Sequence, residues 1–140
     1  MATLEKAIAL AAQAHEGQKD KAGEPYILHL LRVALAVRTP KARIAAVLHD
    51  ILEDTDVTEA QLRDMGFDQE VIVAVQALTK RKGETRLEAA KRAKANPIAR
   101  EVKLADNADN LDLSRLDELT EKDLLRVREY ILVRKVLRAE

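Results

Sequence analysis

Six times along the chain a threonine or asparagine stands just ahead of an amphipathic run: Thr3, Thr39, Thr58, Thr85, Asn96 and Thr120. A side-chain oxygen there accepts a hydrogen bond from one of the first free N–H groups of a helix, so each position marks a helix start. Proline follows Thr39 and Asn96, pre-set for the first helical position. Gln61 and Glu88 stand three residues after Thr58 and Thr85 and complete capping boxes. Beyond these starts apolar residues return at intervals of three and four, the spacing of one helix face. The pattern predicts helices from Thr3 to about His15, from Tyr26 to about Arg38, from Thr39-Pro40 to about Asp54, and from Asn96-Pro97 to about Leu113. Further helices start at Thr58 and Thr85, and a last long one at Thr120. Gly66 and Gly83 mark stops, and Glu16 to Pro25, holding Gly17 and Gly23, reads as a loop. The expected fold is all-α, a compact bundle of seven to eight helices forming one domain over residues 1–140. A long coiled coil is not expected because no heptad survives the Gly and Pro breaks.

Composition narrows the function. The 24 basic and 24 acidic side chains cancel, and Tyr26, Phe67 and Tyr130 are the only aromatics, so the chain lacks both the field and the stacking surface for broad nucleic-acid binding. The absence of cysteine excludes disulfides and thiolate zinc sites. No run is long and uncharged enough for a membrane span, and Glu5 precedes any apolar stretch, so a cytoplasmic location is expected. Neutrality is a cancellation of blocks: residues 50–59 and 106–123 each carry −5, and residues 80–105 between them carry +6.

The acidic blocks begin at the most informative residues. His49 and Asp50 are adjacent, with Glu53 and Asp54 one turn on, beside the apolar stripe of Ile44, Val47, Leu48, Ile51 and Leu52. Charges next to such a stripe are costly unless compensated, and a divalent cation compensates them. Downstream, Lys103, Asp106 and Asn110 share a helical face, and His29 follows the glycine loop. Two imidazoles and two carboxylates form a mixed N/O set suited to Mn²⁺, Fe²⁺ or a similar ion. A lone histidine on a helix is more often a core or surface residue. The ordered set carries more weight than any member.

The order His29, His49-Asp50, Asp106 on a helical background resembles the HD-domain metal-dependent phosphohydrolases. The stretches Ala14-His15-Glu16-Gly17-Gln18, Gly23-Glu24-Pro25-Tyr26-Ile27-Leu28-His29, His49 to Thr55 and Val102 to Asp106 are similar to the hydrolase domain of the RelA/SpoT family, in its small alarmone hydrolase form. The likeness runs from about Leu4 to Tyr130, and no synthetase or regulatory domain is expected within these 140 residues. It implies removal of the 3′-pyrophosphate of (p)ppGpp with Mn²⁺, by way of ligands His29, His49, Asp50 and Asp106 and the catalytic pair Glu53 and Asp54. It also implies substrate contacts from Lys21, Asn110 and Tyr130, and a structural role for His15 in tying the first helix to the loop. The expected partner is a small nucleotide, with no nucleic acid and no membrane; a homo-oligomer is left open.

Three positions depart from the family pattern. Asp20 stands where a basic residue packs on the base, Leu30 replaces a proline, and Leu113 stands where relatives carry a threonine near the ribose. An aspartate cannot stack as a planar cation, so altered base preference is expected. Among the basic residues of 80–103 most are expected on a solvated face, with Lys80 to Gly83 the stretch best placed to reach phosphates. Two rival readings stand beside this one: a general HD-domain nucleotide phosphohydrolase, and a non-catalytic nucleotide-binding module.

Overall fold

The computed structural model describes residues 1–140 and contains nine helices: α1 (Leu4–Ala14), α2 (Ile27–Ala36), α3 (Pro40–Leu48), α4 (Ile51–Asp54), α5 (Glu59–Asp64), α6 (Gln69–Leu78), α7 (Arg86–Lys94), α8 (Pro97–Asn110) and α9 (Glu121–Arg138). The only extended pairing is an isolated bridge between Lys19 and Pro25. All six expected caps form. Thr3 accepts from Lys6 N, Thr39 from Ala42 N and Asn96 from Ala99 N, while Thr58, Thr85 and Thr120 close reciprocal capping boxes with Gln61, Glu88 and Asp123. Gly66 leaves α5 with φ +87°, a conformation that favours glycine, and its carbonyl accepts Ala2 N at 2.8 Å.

The count exceeds seven to eight for two reasons. One helix, α6, starts at Asp68, whose carboxylate accepts from Glu70 N; its cap is an aspartate two residues after a glycine rather than a Thr-x-x-Gln signature. The other arises because the helix expected from Pro40 to Asp54 breaks at His49-Asp50. Asp50 has φ −104° and ψ 0°, and the ladder resumes only with Asp54 N bonding Asp50 O at 2.9 Å.

Helix α3 occupies the centre, packed against α1, α2, α6 and α8. Its Ala42, Ala45 and Ala46 have no exposed surface, and small side chains let four neighbours approach one axis. Leu48 and Ile51, on either side of the break, are also fully buried. Each contributes roughly 1.5–3 kcal/mol by leaving water, so the break is clamped at both ends. A smaller apolar cluster of Ala90, Val133 and Leu137 joins α7 to α9, and Leu104 of α8 packs against it. Helix α8 thus links the two halves and carries its polar face between them. No helix is long and apolar enough to cross a membrane.

Candidate metal centre

Three segments distant in sequence converge beside the break: the first turn of α2, the His49-Asp50 step and the last turns of α8. On a continuous helix, His49 and Asp50 would point about 100° apart. The break instead brings His49 Nε2 and Asp50 Oδ2 to 3.1 Å. The ligating atoms of His29, His49 and Asp50 lie within 4.8 Å of one another. Asp106 Oδ1 joins them, 2.9 Å from His29 Nε2 and 3.3 Å from His49 Nε2.

Both rings present the same nitrogen because the other is engaged. His49 Nδ1 donates to Ala46 O at 2.6 Å, which leaves Nε2 facing the cluster. His29 Nδ1 lies 2.6 Å from Asp109 Oδ2. The carboxylates are held as well. Tyr26 donates its hydroxyl to Asp50 Oδ2 at 2.5 Å, Lys103 Nζ donates to Asp106 Oδ2 at 3.1 Å, and Asn110 Nδ2 to Asp106 Oδ1 at 3.3 Å. The expected face of Lys103, Asp106 and Asn110 is therefore real.

Burial favours neutral imidazoles, yet the adjacent acids prevail. Asp106 raises the pKa of His29, and Asp50 with Asp106 holds His49 well above the usual 6.5. Burial likewise opposes ionisation of Asp106, but Lys103 and the two histidines hold its carboxyl well below the carboxylate range. Tyr26 is pushed up by burial and by Asp50, so it stays a hydrogen-bond donor.

The residues fit a divalent cation. His49 Nε2 is buried without a hydrogen bond of acceptable geometry, although two carboxylates stand beside it. A buried nitrogen left unpaired in this way costs free energy unless another partner accepts its lone pair. Two imidazole nitrogens with two carboxylates form a donor set for a borderline divalent ion.

Two cavities meet here. One of about 280 Å³ borders His29 and carries both signs of charge, with Lys19, Lys21, Arg32, Arg115 and Arg126 set among Asp20, Asp109, Asp112 and Asp123. The other, about 220 Å³, borders Asp50 and Asp106 and is lined by Glu53, Asp54, Lys80, Arg86 and Lys103. Tyr26, Asn110 and Tyr130 belong to both. Lys21 Nζ donates to Tyr130 Oη at 2.6 Å, and the Arg86 guanidinium lies 5.6 Å from the Tyr130 ring centroid. Glu53 is fixed by Lys80 N, which donates to its Oε1 at 2.8 Å. Burial and the charges of Asp50 and Glu53 raise the pKa of Asp54.

His15 behaves as expected, pairing through Nδ1 with Gln18 Oε1 at 2.8 Å, while Gln18 Nε2 reaches Asp54 O at 3.0 Å. Other basic residues serve helix ends: Arg92 donates to the carbonyls of Gln76, Ala77 and Thr79, and Arg100 to Leu137 O. Tyr26, Arg32, Asp109, Arg115 and Arg126 line the site without having been expected there. The spacing held a signal for three of them: Tyr26 and Arg32 lie three residues either side of His29, and Asp109 three after Asp106.

The HD domain family matches residues 7–111. Over 79 residues the chain is 40% identical to a guanosine-3′,5′-bis(diphosphate) 3′-pyrophosphohydrolase of Borreliella burgdorferi, covering 54% of this chain and 12% of that protein. It is 43% identical over 86 residues to the enzyme of the same name from Haemophilus influenzae, covering 57% and 13%. The bifunctional (p)ppGpp synthase/hydrolase SpoT of Escherichia coli is 37% identical over 81 residues, covering 55% and 11%. The chain thus spans about an eighth of the length of these relatives. Its fold is that of a solved structure described as a metazoan ortholog of SpoT that hydrolyzes ppGpp, with TM-score 0.79, 24% identity, and coverage of 99% of this chain and 87% of that one.

Proposed function

The chain belongs to the HD domain family, and from that premise we propose that it removes the 3′-pyrophosphate of a (p)ppGpp-like nucleotide in a Mn²⁺-dependent reaction. One observation carries the reading: two cavities, each with basic side chains set beside its acids, meet at the His/Asp cluster and share Tyr26, Asn110 and Tyr130. A nucleotide bearing phosphate groups at both its 3′ and 5′ positions needs positive charge on both sides of the reacting phosphorus.

In this reading His29, His49, Asp50 and Asp106 hold the ion. A divalent cation bound there acidifies water and draws charge from a phosphoryl oxygen. Asp54, its pKa raised, accepts the proton of the attacking water, and Glu53, anchored by Lys80 N, orients that water. The water oxygen adds to the phosphorus attached to O3′, the P–O3′ bond breaks, and a proton reaches O3′. The products are pyrophosphate and GDP or GTP. Lys80, Arg86 and Lys103 offset charge on the departing pyrophosphate, while Lys21, Asn110 and Tyr130 contact the nucleotide from the shared wall.

The test is a panel of ppGpp, pppGpp, pppApp and ordinary nucleoside polyphosphates with Mn²⁺, products separated by chromatography. Pyrophosphate release from the 3′-substituted compounds is expected. Orthophosphate release points to a general nucleotide phosphohydrolase, and inactivity on every 3′-pyrophosphate compound overturns the reading.

A further inference from the structure

Asp109 lies outside the ligand set, the catalytic pair and the nucleotide contacts, yet it makes one of the shortest polar contacts in the site. Its Oδ2 is 2.6 Å from His29 Nδ1, while Asp106, one turn earlier on α8, faces Nε2 of the same ring at 2.9 Å. The imidazole is therefore spanned by two carboxylates three residues apart. Asp109 cannot reach the ion position, because the ring of His29 stands between. It is also held in place: Arg32 Nε donates to Oδ1 at 2.8 Å and Nη2 to Oδ2 at 3.2 Å, and Arg115 Nη2 donates to the Asp109 carbonyl at 3.2 Å.

We propose that Asp109 is a positioning residue for the metal centre: it accepts the Nδ1–H of His29 and so fixes the Nε2 lone pair of that ring on the ion held with His49, Asp50 and Asp106. The inference rests on the metal reading of the previous section. Each imidazole then has its own device. His49 uses the neutral carbonyl of Ala46, fixed by the helix. His29, in the first turn of α2, uses a charged acceptor on another helix. An ionised acceptor makes the imidazole a stronger base toward the ion as well as orienting it, and loss of such a partner typically weakens metal affinity about 10–100-fold. The pairing also explains why two arginines crowd this acid. They hold its carboxylate as an acceptor whose alternative, a partner for Arg32 alone, would leave metal affinity untouched.

The decisive measurement is Mn²⁺ titration of the purified chain, following the electron paramagnetic resonance of free Mn²⁺, for the unaltered protein, Asp109→Ala and Asp109→Asn. Circular dichroism verifies helical content first, and the isosteric Asp109→Asn carries the test if the alanine variant fails to fold. Asp109→Ala is expected to raise the Mn²⁺ dissociation constant about 10–100-fold. Asp109→Asn, which keeps an oxygen for Nδ1–H, is expected to lose less than half as much on a logarithmic scale. Unchanged affinity in Asp109→Ala overturns the inference while the metal reading stands. Equal losses in both variants overturn it too, since the acceptor oxygen that asparagine keeps would then count for nothing in orienting the ring. No Mn²⁺ binding by the unaltered chain overturns both.

Discussion

In the proposed centre protons and the metal ion compete for the same two nitrogens, so metal affinity there should depend steeply on pH. Burial alone would leave His29 and His49 neutral, but Asp106 beside one ring and Asp50 with Asp106 beside the other raise both above 6.5. Each must shed a proton before its lone pair can bind. Below both folded values the apparent association constant should fall about 100-fold per pH unit, or ~2.7 kcal/mol. The metal-free chain responds in the opposite sense. A raised folded pKa contributes stability that is fully present below the unfolded value of about 6.5 and is lost as pH rises through the folded value. Mn²⁺ at 100 times its dissociation constant adds ~2.7 kcal/mol, or about 8 °C in Tm for a chain of this size. One pH unit lower within that range, the same Mn²⁺ concentration leaves ~0.4 kcal/mol, near 1 °C. Scanning calorimetry with and without Mn²⁺ from pH 6 to 8.5 reads this directly. Titration calorimetry in two buffers of different ionisation enthalpy should count about two protons released per ion. A Tm increment flat in pH, or release of no protons, would refute the reasoning.

Other perturbations test separate parts of the structure. Glu53→Gln and Asp54→Asn should each lower kcat for pyrophosphate release about 10²–10⁴-fold while Mn²⁺ affinity stays near that of the unaltered chain. Arg92→Ala strips three carbonyls at the end of α6 of their donor and should cost about 2–3 kcal/mol, seen as a lower urea midpoint at unchanged slope. The hydrogen bonds that Glu84 accepts from Arg92 and from Arg81 N hold its carboxyl at about 2. Its contribution is present above the unfolded pKa and lost as pH falls toward 2, so Glu84→Gln should destabilise at pH 7 and be neutral near pH 2. Asp20→Ala should speed hydrogen exchange at the Ala22 and Glu24 amides, whereas Asp20→Asn, which keeps the acceptor, should do so far less.

The parts of the fold legible in the sequence are those decided locally. A cap needs a hydroxyl or amide at one position and an N–H three residues on, which is why Thr39 or Asn96 announces its helix. The break at His49-Asp50 is different in kind. The residues from Ile44 to Leu52 keep an unbroken helical period and hold no glycine or proline. Tertiary packing overrides it, with Leu48 and Ile51 each drawn fully into the core and the two polar residues between them turned toward His29 and Asp106. That His29, His49, Asp50 and Asp106 belong together could be read because they combine residue types rarely ordered this way. Their spatial closure could not, since it depends on where α8 crosses α3. Tyr26 and Asp109 escaped for a related reason: a phenol and a surface-type acid on helix faces are common, and only the distances to Asp50 and His29 give them a role.

Asp20 has a role in the folded chain that its place in the sequence does not announce. Read along the sequence, it replaces a cation with an anion at a place where a base or phosphate is expected, and it implies repulsion. In the folded chain its Oδ1 instead accepts Ala22 N at 2.9 Å and Glu24 N at 3.0 Å, so the carboxylate closes the loop on itself. Its Oδ2 lies 3.9 Å from Arg32, which offsets the remaining charge. The same cavity holds guanidinium groups from three other places, Arg32 on α2, Arg115 after α8 and Arg126 on α9. Of these, Arg32 is fixed as a flat fork by Asp109. A planar cation can serve a bound ring from any wall that faces it. The loop ties Asp20 to its own backbone, and of the three guanidinium groups that of Arg32 sits on α2, which the His29–Asp109 contact joins to α8.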